Sequence, residues 1–216
     1  MLYPTELPGR ELYFSRRRMK HSDTLIQIFC KPPIAGQVKT RLIPELGEAG
    51  ALALYEEMLG AVVRRTRGFS SVELWSTAAD AYFERFNRTV FIQQGIDLGA
   101  RMAGALEQGL TGAGQVILIG SDVPTIDAGY LENAIQGLMT HDVVLGPAAD
   151  GGYGLVGVSG NVPDMFADIA WSTESVLEET CRHLNRLELN YALLPEVRDV
   201  DRPEDLDSYY NLKSVS

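Results

Sequence analysis

Cysteine is almost missing from this chain, with only Cys30 and Cys181 among 216 residues. They lie far apart and at no metal-ligand spacing. A disulfide framework and a zinc site are therefore both excluded, and the two read as free thiols of a reducing cytoplasm. Positive charge is in deficit: 19 Lys and Arg against 29 Asp and Glu leave a net −10. That excludes the basic face on which nucleic-acid affinity rests. No apolar run approaches the ~18 residues needed to cross a bilayer, so no membrane partner is expected. Internal repeats, low-complexity tracts and dividing linkers are also missing, and the expectation is one sizeable core. No export signal is expected either. Ser15-Arg16-Arg17-Arg18-Met19-Lys20 has a twin-arginine look. The residues after it include His21, Asp23 and Lys31, with no long apolar region and no cleavage site. Residues 1–22 read as a polar arm, or an over-long start with Met19 as initiator, and residues 23–216 as the domain.

What is present centres on Val116-Ile117-Leu118-Ile119-Gly120-Ser121-Asp122-Val123-Pro124. Four consecutive aliphatics without alternation read as a strand buried on both faces of a parallel sheet. The strand stops abruptly at Gly120 and Pro124. A carboxylate just past the carboxyl end of such a strand lies in the crevice where open α/β sheets bind ligands. Asp122 is thus a candidate metal ligand or phosphate-side contact. The competing reading is an Asx-turn, or a cap for the helix starting near Asp127.

Elsewhere, strands are expected at residues 24–30, 71–76, 89–92, 142–146, 155–158 and 187–194. Helices are expected at 46–67, 82–86, 98–110, 130–138, from 171–175 onward, and from Asp201. The alternation gives an α/β domain with a mostly parallel sheet. After the first strand, residues 31–42 hold two prolines, Gly36, and the cations Lys31, Lys39 and Arg41. Such a loop suits an anion, Gly36 admitting a phosphate to the backbone; a solvated basic loop is the alternative. The P-loop spacing is absent. Arg101, in the first turn of a helix where a cation is disfavoured, reads as a ligand contact or as an ordinary surface arginine. Gly146, Pro147, Asp150, Gly151, Gly152, Tyr153 and Gly154 exceed what a hairpin turn needs, and a substrate-binding loop is expected. Trp171 is a core residue or a substrate platform, with Ser172 or Thr173 a helix N-cap. Asp201, Pro203 and Glu204 make a capping-box helix start, which leaves Asp199 unexplained.

Taken in order, several blocks resemble one known family. They are Phe29-Cys30-Lys31-Pro32-Pro33 with Gly36-Gln37-Val38-Lys39-Thr40-Arg41-Leu42, then Asp97-Leu98-Gly99 with Arg101-Met102, and Gly120-Ser121-Asp122-Val123-Pro124. Gly146-Pro147 with Asp150-Gly151-Gly152-Tyr153, Trp171-Ser172-Thr173, and Asp199-Val200-Asp201 with Pro203-Glu204-Asp205-Leu206 complete the set. Over about residues 24–212 the chain is similar to bacterial glycosyltransferases associated with radical-SAM/selenodomain proteins or arsenosugar biosynthesis. These belong to the nucleotide-diphospho-sugar transferase (GT-A) superfamily, which also holds nucleotidyltransferases. Val123 replaces the usual Cys and Gly154 a common second aromatic.

The resemblance implies a Rossmann-like GT-A domain and a sugar transfer from a nucleoside-diphosphate sugar to a small acceptor. It puts nucleotide binding on Lys31, Gly36, Lys39 and Arg41. Asp122 and Asp201, with Asp199 beside them, would hold Mg²⁺ or Mn²⁺. Asp122 and Asp150 are the carboxylates assigned to the chemistry, and Gly151, Gly152, Tyr153 and Trp171 face the sugar or acceptor, with Arg101 a further ligand contact. Two alternatives stay open: a nucleotidyltransferase releasing pyrophosphate, and a non-catalytic nucleotide-binding scaffold. A homo-oligomer is also left open.

Overall fold

The computed structural model describes residues 23–215. The polar arm expected over residues 1–22 lies outside the described residues. Seven strands form one sheet: β1 (Thr24–Cys30), β2 (Ser71–Ser76), β3 (Thr89–Ile92), β4 (Gln115–Gly120), β5 (Val143–Pro147), β6 (Tyr153–Ser159) and β7 (Tyr191–Leu193). Their order is β3-β2-β1-β4-β6-β5-β7. Only β6 runs antiparallel to its neighbours, so the sheet is mostly parallel as expected. The long helices are α1 (Ile43–Arg65), α2 (Leu98–Leu110), α3 (Ala128–Gly137), α4 (Val176–Arg186) and α5 (Pro203–Val215).

Side-chain alternation splits each central strand between two cores. Ile26 and Ile28 of β1 and Ile117 and Ile119 of β4 pack with Tyr55, Leu59 and Val62 of α1 and with Leu131 and Ile135 of α3. On the opposite face Leu25, Val116 and Leu118 meet Met102 and Leu106 of α2 and Leu184 of α4. The sheet is therefore covered on both sides, which is why β4 carries no polar alternation. In a third cluster Leu206 and Tyr209 of α5, with Val200, pack on Leu42, Leu54 and Met58. This cluster holds the 199–201 segment against the start of α1.

Three local expectations are corrected. The helix foreseen from 171–175 begins only at Val176, because Ser172 adopts a left-handed φ of 68° and breaks the turn there. Thr173 donates to Ala170 O (2.7 Å) and caps nothing. The strand foreseen over 187–194 shrinks to Tyr191–Leu193, since α4 runs to Arg186 and Glu188 is left-handed (φ 54°). At the start of α5 the capping acid is Asp205 and not Glu204: its Oδ2 accepts from Arg202 N (2.7 Å) and Asp201 N (3.0 Å). Asp201 is therefore not consumed as a cap, and its carboxylate is available elsewhere.

Candidate functional site at the β1–β4 crevice

The chain leaves β1 outward to β2 and β3, then returns to β4 on β1's other side. The crevice at the carboxyl ends of β1 and β4 is thus the topological switch point, where open α/β sheets bind ligands. Gly120 ends β4, and a Cβ there would meet Asp122 Oδ1 at 2.8 Å. Glycine at this turn gives the Asp122 carboxylate its place. Asp122 caps no helix; Asp127 does that for α3, accepting from Tyr130 N (2.8 Å). The loop after β4 is tied on both sides. Arg65 Nη1 donates to Pro124 O (2.5 Å), and Val200 N donates to Asp122 O (3.2 Å).

Into this crevice comes Lys39, from a left-handed residue (φ 46°) that precedes a 3-10 turn. Its Nζ lies 2.8 Å from Asp122 Oδ2 and 3.6 Å from Asp201 Oδ1, and the side chain is only 5% exposed. Arg41, 62% exposed, binds the other Asp201 oxygen from the solvent side. Asp199 lies near Asp122 and Asp150. Burial first, and then those two carboxylates, push its carboxyl up to about 6, while Lys39 opposes the rise. Lys39, Arg41, Asp122, Asp150, Asp199 and Asp201 thus gather at the carboxyl end of the sheet, although Arg41 and Asp201 are 160 residues apart in sequence.

Among the described residues, two clefts hold most of these side chains, and a third beside Arg198 and Tyr209 touches them only at Asp199. The larger of the two, about 530 Å³, is lined by Arg41, Asp150, Ser172, Thr173, Asp199, Asp201 and other polar residues. The smaller, about 240 Å³, runs from Leu98 and Met102 past Tyr153, Gly152 and Trp171 to Asp122, Asp150 and Asp199, with no Lys or Arg in its lining. Trp171 lies both against core and in the cleft: it packs near Phe166 (6.3 Å between ring centroids) and covers Gly99. A Cβ on Gly99 would approach its indole to 2.5 Å.

Other expected site residues are placed differently. Lys31 and Gly36 line neither cleft. The Lys31 backbone is held by the Tyr55 hydroxyl (2.7 and 2.9 Å), and Gly36, at φ 76°, faces the Glu48 carboxylate. Arg101 also lines neither cleft; its Nε donates to Gly95 O (3.2 Å), which anchors the loop before α2. Of the glycines in the 146–154 stretch, Gly152 and Gly154 line the smaller cleft, while Gly146 and Gly151 face protein. A Cβ on Gly151 (φ 85°) would collide with Glu174 O and lie 2.7 Å from its carbonyl carbon, and one on Gly146 would fall 2.6 Å from the Tyr130 hydroxyl. Residues 148–152 are a hairpin turn between β5 and β6, held by an Ala148 N to Gly152 O bond (3.0 Å). Asp150 accepts from Gly152 N (2.9 Å) and keeps its carboxylate toward the clefts. The Tyr153 ring lines the smaller cleft, while its buried hydroxyl makes no hydrogen bond; the nearby Thr180 hydroxyl donates instead to Val176 O (2.8 Å). Val123 and Gly154, the two departures from the family pattern, meet each other: a Cβ on Gly154 would lie 2.6 Å from Val123 Cγ1. What the sequence reading missed is the local function of Asp205 and Gly99. The Asp at the third helical position was the available signal for Asp205.

A family model described as "Uncharacterized protein conserved in bacteria (DUF2064)" matches residues 62–173. The chain belongs to this family. A comparison with curated proteins gives no match. Among solved structures, a Desulfovibrio desulfuricans protein provisionally assigned as a nucleotide-diphospho-sugar transferase is 31% identical, with a TM-score of 0.83 over 88% of this chain and 87% of that one. At 13% identity and a TM-score of 0.58, CMP:2-keto-3-deoxy-manno-octonic acid synthetase complexed with CTP shares the fold over 89% of this chain and 98% of its own. So does glucosyl-3-phosphoglycerate synthase from Mycobacterium tuberculosis, seen with Mn²⁺, UDP and glucosyl-3-phosphoglycerate, at 11% identity and a TM-score of 0.55 over 95% and 81%. Among the described residues, no helix is long and apolar enough to cross a membrane.

Proposed function

We propose that this DUF2064 protein is a metal-dependent glycosyltransferase that moves a sugar from a nucleoside-diphosphate sugar to a small acceptor hydroxyl. The observation that carries the reading is the convergence of Asp122 and Asp201 on one cation, the Lys39 ammonium, at the switch point of the sheet. Two carboxylates that already bind one cation are hard oxygen donors of the kind Mg²⁺ and Mn²⁺ take, and Asp199 lies beside them. The residues therefore fit the metal. As the side chains stand, no three Asp, Glu, His or Cys among the described residues are arranged as a metal site. A bound divalent ion supplies charge neutralisation for a departing diphosphate.

The chain's own residues do the rest. Lys39 and Arg41 give directed donors to phosphate oxygens, Arg41 from the exposed rim. Trp171, Leu98 and Met102 floor the smaller cleft as an apolar surface for the acceptor. Asp150, held by Gly152 N, receives the acceptor's proton as its oxygen bonds to the sugar carbon. The bond from that carbon to the diphosphate oxygen breaks with its electron pair going to the diphosphate. Arg101, in the first turn of α2 and bonded back to Gly95 O, is a rim contact to the donor, and Lys31, Gly36 and Gly151 support the surrounding loops.

The smaller cleft also favours sugar transfer over nucleotidyl transfer. A phosphorylated acceptor would meet Asp122, Asp150 and Asp199 there, and no Lys or Arg lines that cleft, Lys39 being engaged behind Asp122. Within the class, an acceptor from arsenosugar synthesis is the specific case that the sequence resemblance points to. Chromatography of the reaction products decides between the two transfers. Release of nucleoside diphosphate is expected, and release of pyrophosphate from a nucleoside triphosphate would replace this reading by nucleotidyl transfer.

A further inference from the structure

We propose that Lys39 is a resident counter-ion, which a divalent metal must displace from Asp122 and Asp201 before it can bind. The inference rests on the metal reading under Proposed function. Lys39 Nζ is 2.8 Å from Asp122 Oδ2 and 3.6 Å from Asp201 Oδ1, between carboxylates that are 38% and 31% exposed. Its own side chain is almost wholly buried, in contrast to that of Arg41. A carboxylate-bound Mg²⁺ sits about 2.1 Å from its oxygens. An ion shared by these two carboxylates would therefore occupy the space the ammonium fills. The two cations also repel, and in a partly buried crevice that repulsion is screened less than in bulk water.

The backbone makes this arrangement hard to loosen by small shifts. Lys39 is left-handed, its carbonyl accepts from Leu42 N (2.9 Å), and Leu42 is fully buried in the cluster that docks α5. The side chain has to swing as a unit. A donor diphosphate entering the crevice offers the ammonium new partners and so releases both carboxylates to the metal. Metal and diphosphate then bind with positive coupling through Lys39, and each binds weakly without the other.

The test is titration of Mn²⁺ alone into chelator-stripped protein, followed by electron paramagnetic resonance. Lys39→Met is expected to bind one Mn²⁺ about tenfold more tightly than wild type, or more. Lys39→Arg keeps the charge and is expected to remain as weak as wild type. Equal or weaker binding by Lys39→Met overturns the proposal, and so does equal tightening in Lys39→Arg, which would trace the gain to loosened packing. Asp122→Asn separates this from failure of the underlying reading. If wild type binds one Mn²⁺ that Asp122→Asn loses while Lys39→Met gains nothing, the metal site stands and the competition is wrong. If neither wild type nor Lys39→Met binds Mn²⁺, both are wrong. Should Lys39→Met not fold, Lys39→Gln carries the same comparison.

Discussion

Asp199 is held protonated well above the usual carboxylate range, about 6 against 3.8, by burial and by Asp122 and Asp150. Between those values the folded protein keeps a proton that the unfolded chain has released. Its stability contribution is therefore present below about 3.8, falls as pH rises to about 6, and stays reduced above. Asn at this position has no charge to bury. In chelator-treated protein Asp199→Asn is expected to gain about 1 kcal/mol at pH 7.5, a figure discounted for the residue's partial exposure. At pH 3.5 the gain should vanish. Urea melts at the two pH values check this, and a gain of equal size at both would remove charge as the cause. The same carboxylate illustrates what is legible in the sequence. Its neighbours in the chain give Asp199 no structural role, and it does line the clefts. The contact between Lys39 and Asp122 joins residues 83 positions apart, and nothing local announces it.

At the scale of elements, the turn from β5 to β6 is joined to the start of α4 by close backbone contact. Leu177 N donates to Gly151 O (2.9 Å), and Gly151 has φ 85° with Glu174 O beside its Cα. A methyl group there meets both a disfavoured backbone region and the Glu174 carbonyl, whose carbon would lie 2.7 Å away. Gly151→Ala is accordingly expected to cost about 2 kcal/mol or more. It should also displace Asp150 and Trp171, which flank the smaller cleft. Thermal melting and Trp fluorescence read the two effects, and an unchanged melting temperature would sink the close-contact argument. Glycine-rich sequence is thus ambiguous in itself, since open backbone serves a ligand or a neighbouring segment of the chain equally well. Strands β2 and β3 and helix α2 fall where periodicity placed them, because each is bounded by clear turn residues. Helix α4 and strand β7 do not, because Ser172 and Glu188 adopt left-handed backbone that their residue types do not signal.

On the scale of the whole molecule, an acidic chain concentrates Lys39 and Arg41 where its sheet reverses direction, and surrounds them with carboxylates. That distribution suits a ligand that arrives as an anion together with a divalent cation, and it is unsuited to a nucleic-acid backbone. The most direct test is a thermal-shift panel of nucleoside mono-, di- and triphosphates and nucleotide sugars, with and without Mn²⁺, on wild type and Asp122→Ala. A ligand at ~100 times its dissociation constant stabilises the fold by about 2.7 kcal/mol, a shift of roughly 5–10 °C for a chain of this size. The account predicts such a shift for one nucleoside diphosphate or its sugar, only with Mn²⁺, and its loss in a still-folded Asp122→Ala. A shift that needs no metal and survives in Asp122→Ala, or no shift with any nucleotide, would contradict it.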